Sequence, residues 1–206
     1  DRYVLFHMAN ILWNIGKYSE ALEYAKLSSE KDPKFGAALD FQGILLRNLN
    51  QPEESEKAFI RAIELNPANT QFLNDYAQLL RSRNRIDEAI SMHKKALSIR
   101  QDYLSNLFLG HCYVAKDNYP EAREQYLKAK EASSTNGQKS ACLESVGYTY
   151  LYEGNLPEAL AAFDRMANFD RQSPGMNDQI INADIDKAYS CLLYEEYEKY
   201  NRYLAD

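Results

Sequence analysis

The sequence predicts an all-α fold, an array of helix-turn-helix repeats with a closing helix at its C-terminal end. One segment recurs five times, as YSEALEYA from Tyr18, PEESEKAF from Pro52, IDEAISMH from Ile86, YPEAREQY from Tyr119 and LPEALAAF from Leu156. Its central small residues are Ala21, Ser55, Ala89, Ala122 and Ala159, at intervals of 34, 34, 33 and 37 residues. A nearly fixed period of this length is typical of helical hairpins that bury their apolar faces by stacking on neighbouring hairpins.

A second small residue marks the first helix of each repeat. It stands 12 residues before the small residue of the recurring segment, at Ala9, Gly43, Ala77, Gly110 and Gly147. A small side chain there lets the second helix approach the first closely. Between the two small residues come helix breakers, which are Gly16, Asn50, Asn84, Asp117 with Asn118, and Gly154. These residues predict the turn of each hairpin.

The second helix of each repeat begins with acidic residues and carries a large residue further along. The acidic residues are Glu20, Glu54, Glu88, Glu121 and Glu158, near the positive end of the helix dipole. Four residues past the small residue, three repeats have an aromatic side chain, at Phe59, Tyr126 and Phe163. The other two repeats have Ala25 and His93 there, and His93 is predicted to pack between helices.

This pattern resembles the tetratricopeptide repeat family. The family's 34-residue unit has small residues at its eighth and twentieth positions, an aromatic at the twenty-fourth and proline at the thirty-second. The proline slot matches in the first two repeats, at Pro33 and Pro67, and departs in the later ones. The resemblance implies a right-handed superhelical α-solenoid of five repeats, at about 2–35, 36–69, 70–102, 103–139 and 140–173. The small and polar stretch 133–138 predicts a longer loop after the fourth repeat.

Residues 174–206 are predicted to form a linker and a C-terminal capping helix. Apolar residues follow at three- or four-residue steps from Ile181 to Leu204, which gives one apolar face. An array needs a closing element with a polar outer side. The segment is also rich in tyrosine, which is typical of partner-binding or dimer surfaces. The main interpretation is a cap, and self-association through this helix is the alternative.

Composition and charge argue against some classes of partner and indicate a cellular compartment. The chain has 206 residues, of which 45% are hydrophobic, and a net charge of −6. An acidic balance is opposite to what attracts a nucleic acid backbone, and no apolar run is long enough to span a membrane. Three widely spaced cysteines indicate a reducing compartment, so we expect a soluble, cytoplasmic protein. The chain begins at Asp1 rather than Met, which is consistent with an excised fragment or a processed product.

No motif for catalysis, metal binding or cofactor binding occurs. The sequence lacks G-x-G-x-x-G, G-x-x-x-x-G-K-[ST], H-E-x-x-H and C-x-x-C. His111 and Cys112 are neighbours, but adjacent residues on a helix point about 100° apart and are badly placed to share a metal ion. We therefore expect no catalytic residue, no metal and no cofactor, and the chain is not predicted to be an enzyme.

The resemblance implies a binding site for a protein or peptide partner. In this family the first helices line a concave groove whose side chains hold the ligand. The corresponding residues in this chain are Phe6, Asn10, Trp13, Asp40, Ile44, Arg47, Asn74, Gln78, Arg81, His111 and Tyr148. Asn and Gln amides suit an extended peptide, because they both donate and accept hydrogen bonds. Some members of the family bind the C-terminal carboxylate of a chaperone through lysines at set positions. In this chain those positions hold Phe6 and Gln71, which makes a chaperone tail an unfavourable ligand.

Arg47 and Arg81 occupy the same position in consecutive repeats, and two roles remain open for them. They could bind a partner carboxylate, or pair with nearby acids such as Asp40 and Asp75. Two functions also remain open. The first is a module that binds a peptide segment or helix of a partner in its groove. The second is a scaffold within a larger protein or complex, in which the tyrosine-rich C-terminal helix makes the main contact.

Overall fold

Residues 1–173 contain ten α-helices. The structure is a computed structural model that describes residues 1–173, 190–191 and 194–195. The helices are α1 (Arg2–Asn14), α2 (Tyr18–Lys31), α3 (Gly36–Asn48), α4 (Pro52–Leu65), α5 (Thr70–Ser82), α6 (Ile86–Ile99), α7 (Tyr103–Val114), α8 (Tyr119–Ala132), α9 (Asn136–Tyr152) and α10 (Leu156–Arg171). No strand occurs in these residues, so the predicted all-α repeat array is confirmed. Most of the predicted capping helix lies outside the described residues.

In three repeats an aromatic ring fills the space left by a glycine on the first helix. A Cβ atom added at Gly43 would lie 2.7 Å from the ring of Phe59, and one at Gly110 would lie 2.5 Å from that of Tyr126. A Cβ at Gly147 would likewise collide with the ring of Phe163. Such distances are far below van der Waals contact. The small eighth residue therefore makes room for the aromatic side chain of its own repeat, and not only for the approach of the two helix backbones.

The other two repeats use a different pair of side chains at the same place. Ala9 is matched with Ala25, and Ala77 with His93, and all four side chains are fully buried. The two repeats that lack Phe or Tyr on the second helix thus have alanine, rather than glycine, on the first helix. His93, predicted as a packing residue, lies inside its hairpin as expected.

All five hairpins turn through a residue with positive φ. These residues are Gly16 (78°), Asn50 (57°), Asn84 (60°), Asp117 (55°) and Gly154 (74°). Each stands at the fifteenth position of its repeat, two or three residues after the end of the first helix. Gly, Asn and Asp tolerate this left-handed conformation better than other residues. The helix breakers in the sequence therefore marked the turns correctly.

The predicted longer loop after the fourth repeat is wrong. α8 ends at Ala132 and α9 already begins at Asn136, so only three residues connect them. The extra residues extend α9 at its N-terminal end, and α9 has 17 residues where the other first helices have 12 or 13. The side chain of Thr135 accepts a hydrogen bond from the backbone N–H of Gln138. This N-cap starts the helix one turn early, despite Gly137 in the first turn.

The chain divides into two compact units, residues 1–100 and residues 101–206. In unit 1, each of the helices α1 to α6 contacts the next along the chain, and α3 also contacts α5. Gln42 of α3 donates hydrogen bonds to the Ala25 carbonyl (3.1 Å) and the Ser29 hydroxyl (2.8 Å) of α2. Tyr76 of α5 donates to Glu56 of α4 at 2.7 Å. These bonds tie successive hairpins together.

One face of α1 is left uncovered in unit 1. Val4 and Ile11, at the third and tenth positions of the first repeat, are exposed. The same positions in α3 hold Ala38 and Leu45, and those in α5 hold Phe72 and Leu79, and all four are buried. The face that α3 and α5 bury is therefore open to solvent on α1.

Candidate peptide-binding groove

The predicted groove residues are divided between the two units. Nine of them lie on the first helices of unit 1, which are α1, α3 and α5. The other two, His111 and Tyr148, lie on α7 and α9 of unit 2.

An aromatic cluster joins α1 to α3 in unit 1. The ring of Phe41 has its centroid 5.6 Å from Phe6 and 5.9 Å from Trp13, both in edge-to-face geometry. Phe35 lies 5.3 Å from Phe6 in the same geometry. Trp13 stays partly exposed, and the Asn10 amide donates to the Phe6 carbonyl at 2.9 Å. The cluster offers an apolar contact surface. Phe6 and Trp13 were predicted from the sequence, whereas Phe35 and Phe41 were not.

Two acids and two arginines come together between α3 and α5. Asp40 is only 3% exposed, and burial raises its pKa to about 8, with the charge of Asp75 raising it further and Arg47 lowering it. Burial also raises the pKa of Asp75 to about 6, while Arg47 and a hydrogen bond from Gln71 lower it. Burial lowers the pKa of Arg47; Asp75 and Asp40 oppose this effect, whereas Arg81 adds to it. We call Asp40, Arg47, Asp75 and Arg81 the charged cluster.

The charged cluster keeps unused hydrogen-bonding capacity. Asp40 Oδ1 and Asp75 Oδ2 are buried and have no hydrogen-bond partner among the described residues. Gln78 donates to the other oxygen of Asp75 at 3.3 Å. Within residues 1–173, neither Arg47 nor Arg81 forms a salt bridge with these carboxylates, and Arg81 is exposed. Arg47 therefore acts on both acids through its field rather than through a hydrogen bond.

The two remaining predicted residues of unit 1 differ in their surroundings. Asn74 is buried, and its Oδ1 lies 2.8 Å from Nδ1 of His93 on α6. This amide oxygen joins the two helices of the third repeat from within. Ile44 is half-buried on α3 and packs against the core formed by α1, α2 and α3.

In unit 2, the predicted residues belong to an aromatic surface. The ring of His111 lies 5.6 Å from Tyr126 and 6.0 Å from Phe108. Tyr148 contacts Phe163 edge to face at 5.5 Å and stacks with Tyr152 at 6.3 Å. Both His111 and Tyr148 are half-buried, so part of each ring remains on the surface.

The described residues contain neither a metal-binding group nor a membrane-spanning helix. In residues 1–173 and the four described beyond them, no group of three or more His, Cys, Asp or Glu is placed to hold a metal ion. Over the same stretch of chain, none of the helices combines the length and apolar character needed to cross a membrane.

Two family models described as tetratricopeptide repeat match the sequence, over residues 42–102 and 105–136. The matched ranges cover most of the second to fourth hairpins. The chain contains tetratricopeptide repeats. Tetratricopeptide repeats generally serve as modules for protein–protein interaction or as scaffolds.

Curated relatives with these repeats are much longer than this chain. The human Tetratricopeptide repeat protein 13 is 24% identical over 161 residues, which are 76% of this chain and 18% of that protein. The human Protein O-mannosyl-transferase TMTC3 is 28% identical over 147 residues, which are 63% of this chain and 16% of that protein. The tetratricopeptide repeat chain thus spans less than a fifth of the length of either relative.

Several solved structures share the fold at low sequence identity. PilW, a type IV pilus biogenesis factor, superposes with a TM-score of 0.73 at 19% identity, over 97% of this chain and 93% of PilW. A thermophilic TPR protein of Thermus thermophilus gives 0.70 at 15% identity, over 93% of this chain and all of that one. A MamA protein gives 0.68 at 15% identity, over 83% and 92% of the two chains. These similarities concern the fold alone.

Proposed function

We propose that this tetratricopeptide repeat chain binds an extended segment or a helix of a partner protein along the first helices of unit 1. The charged cluster carries this proposal. Buried polar atoms almost always have hydrogen-bond partners, and exceptions concentrate at functional sites. Two carboxylate oxygens without a partner in the described part of the chain, beside two arginines without a salt bridge there, are such an exception.

Each part of the groove suits a different part of a peptide. Arg47 and Arg81 can donate paired hydrogen bonds to a carboxylate of the partner. The amides of Asn10 and Gln78 can bond to its backbone. The aromatic cluster around Trp13 can take an apolar side chain. Asn74, whose oxygen is directed at His93, holds the third hairpin together rather than contacting the ligand.

A scaffold role is the second candidate function. In the curated relatives the matched segment is a small part of a long chain, which favours a region that positions other parts of an assembly. The tyrosine-rich segment after residue 174, which lies outside the described residues except for four positions, would then make the main contact.

Replacing Arg47 and Arg81 together with alanine is expected to weaken binding of a captured partner by more than about tenfold. Removing charged contacts to a desolvated carboxylate typically costs about 2–5 kcal/mol, whereas an exposed ion pair is worth less than about 1 kcal/mol. The partner is captured from native lysate and identified, and its dissociation constant is then measured for each variant.

The matched control is the double variant Lys57→Ala and Arg61→Ala. Both side chains are exposed on α4, a second helix, so the same two charges are removed away from the groove. This control should bind as the unmodified chain does. Equal affinity of the groove variant and the control, together with a large loss in Tyr197→Ala, would favour the scaffold role instead.

A further inference from the structure

A row of three tyrosines lies on the surface of unit 2. Tyr148 and Tyr152 are one turn apart on α9 and stack with ring centroids 6.3 Å apart and an interplanar angle of 26°. Tyr119, the first residue of α8, continues the row at 6.1 Å from Tyr152. Tyr152 in the middle is 57% exposed. We call Tyr119, Tyr148 and Tyr152 the tyrosine patch.

Carboxylates give the tyrosine patch a negative environment. The Tyr119 hydroxyl donates a hydrogen bond to Asp117 Oδ1 at 2.8 Å, and Asp117 is exposed in the turn between α7 and α8. This hydrogen bond, with burial and the nearby charges of Asp117 and Glu153, raises the pKa of Tyr119. An electron-rich ring face beside a carboxylate attracts cations, and it repels acidic ligands.

Unit 2 already binds one of its own arginines in this way. The guanidinium carbon of Arg123 lies 4.1 Å from the centroid of the Tyr150 ring. Its two terminal nitrogens also bond to the two carboxylate oxygens of Glu153, at 2.7 and 3.1 Å. An aromatic face and a carboxylate together thus hold a guanidinium on the same pair of helices, α8 and α9. Tyr152 with Asp117 offers the same two components, and no arginine among the described residues stacks on Tyr152.

We propose that the tyrosine patch and Asp117 bind an arginine side chain of a partner protein. The inference goes beyond the proposed function, which concerns unit 1, and it adds the class of ligand that unit 2 takes at a surface that includes the predicted groove residue Tyr148. The guanidinium stacks on the exposed face of Tyr152 while its N–H groups bond to the Asp117 carboxylate. A planar guanidinium can lie flat on an aromatic ring and donate two parallel hydrogen bonds to a carboxylate. The compact ammonium group of lysine has no plane to stack and cannot form this paired geometry.

The Asp117 carboxylate can be removed without changing the turn. Asp117 has φ 55°, and the equivalent residues of the second and third repeats are Asn50 and Asn84, with φ 57° and 60°. Asp117→Asn therefore keeps a residue that this turn accepts in two other repeats. Tyr152→Leu removes the aromatic face from an exposed position, where a leucine side chain is tolerated.

The test uses the peptide acetyl-Gly-Ser-Arg-Ser-Gly-amide and two analogues, with neutral citrulline or with lysine in place of arginine. Binding to the full chain is followed by NMR titration of the tyrosine ring signals. The arginine peptide is expected to bind, and Tyr152→Leu should weaken it by about three- to fivefold. Asp117→Asn should weaken binding of the arginine peptide by about two- to fivefold. The citrulline peptide should bind the unmodified chain no more tightly than the arginine peptide binds Asp117→Asn.

The control is Tyr3→Leu, which removes a 49% exposed tyrosine from unit 1 and should leave the affinity unchanged. Equal binding of citrulline and arginine, or no effect of either unit 2 variant, overturns the arginine site. Equal binding of lysine overturns the assignment to arginine. If these outcomes occur while the Arg47 and Arg81 double variant still loses the captured partner, only this inference fails and the groove function stands. If that double variant keeps the captured partner while the peptide still binds unit 2, the proposed function of unit 1 fails.

Discussion

Replacing Phe59 with alanine is expected to lower the free energy of unfolding by about 3–5 kcal/mol. The Phe59 side chain is fully buried, and its ring lies directly over Gly43, so its removal leaves a cavity between α3 and α4. The two helix backbones can close this gap only in part, because they are fixed by the neighbouring hairpins. Urea denaturation followed by circular dichroism measures the loss, and Ile60→Ala, at the exposed neighbouring position, should cost less than about 1 kcal/mol.

Gly43→Ala gives the complementary test of the same contact. A methyl group there would overlap the Phe59 ring, and overpacking of this kind typically costs about 1–3 kcal/mol. The double variant Gly43→Ala with Phe59→Ala should lose less than the sum of the two single variants. The added methyl then occupies part of the vacated space, as in the natural pair Ala9 and Ala25. Strictly additive losses would show that the ring and the glycine do not depend on each other.

Asp40→Asn is expected to stabilise the chain by about 2–5 kcal/mol at pH 8.5 and to have little effect at pH 4. The folded pKa of Asp40, about 8, lies above its ordinary value of 3.8. Between these values the folded state holds a proton that the unfolded state has lost. Stability therefore falls as pH rises through this window, and asparagine, which resembles the protonated acid, removes the loss.

Melting temperatures of both proteins from pH 4 to pH 9 measure this effect. Glu64→Gln is the control, because Glu64 is an exposed acid on α4 and its curve should run parallel to that of the unmodified chain. A parallel curve for Asp40→Asn would mean that Asp40 is ionised in the folded state throughout this range. The charged cluster would then contain two negative charges at neutral pH.

The sequence predicted the hairpins because their determinants are local. A glycine beside an aromatic slot, and a Gly, Asn or Asp at each turn, act within one repeat and recur along the chain. The length of α9 was predicted wrongly because two local signals compete there. Thr135 caps the helix, while Gly137 in the first turn disfavours it, and their balance cannot be derived from composition.

The site was less predictable than the fold, since it depends on which way side chains turn. Position in the repeat placed Asn74 and Asp40 on first helices, but their burial depends on neighbours from another helix. Asn74 is turned inward by His93, an unusual occupant of an aromatic slot. Phe41 was missed because it contacts Phe6 from the next repeat, and Phe35 because it lies outside the first helices, just before α3.

The uncovered face of α1 has a consequence for how unit 1 opens. Among the described residues, α3 and α5 contact the hairpin before them as well as their own second helix, whereas the face of α1 that carries Val4 and Ile11 is uncovered. Contacts in unit 1 join helices close in sequence, so a helix with one uncovered face can detach without breaking the rest of the unit. Backbone amides of α1 should therefore exchange with solvent through a local opening of low free energy, while those of α3 and α5 exchange only when most of the unit unfolds.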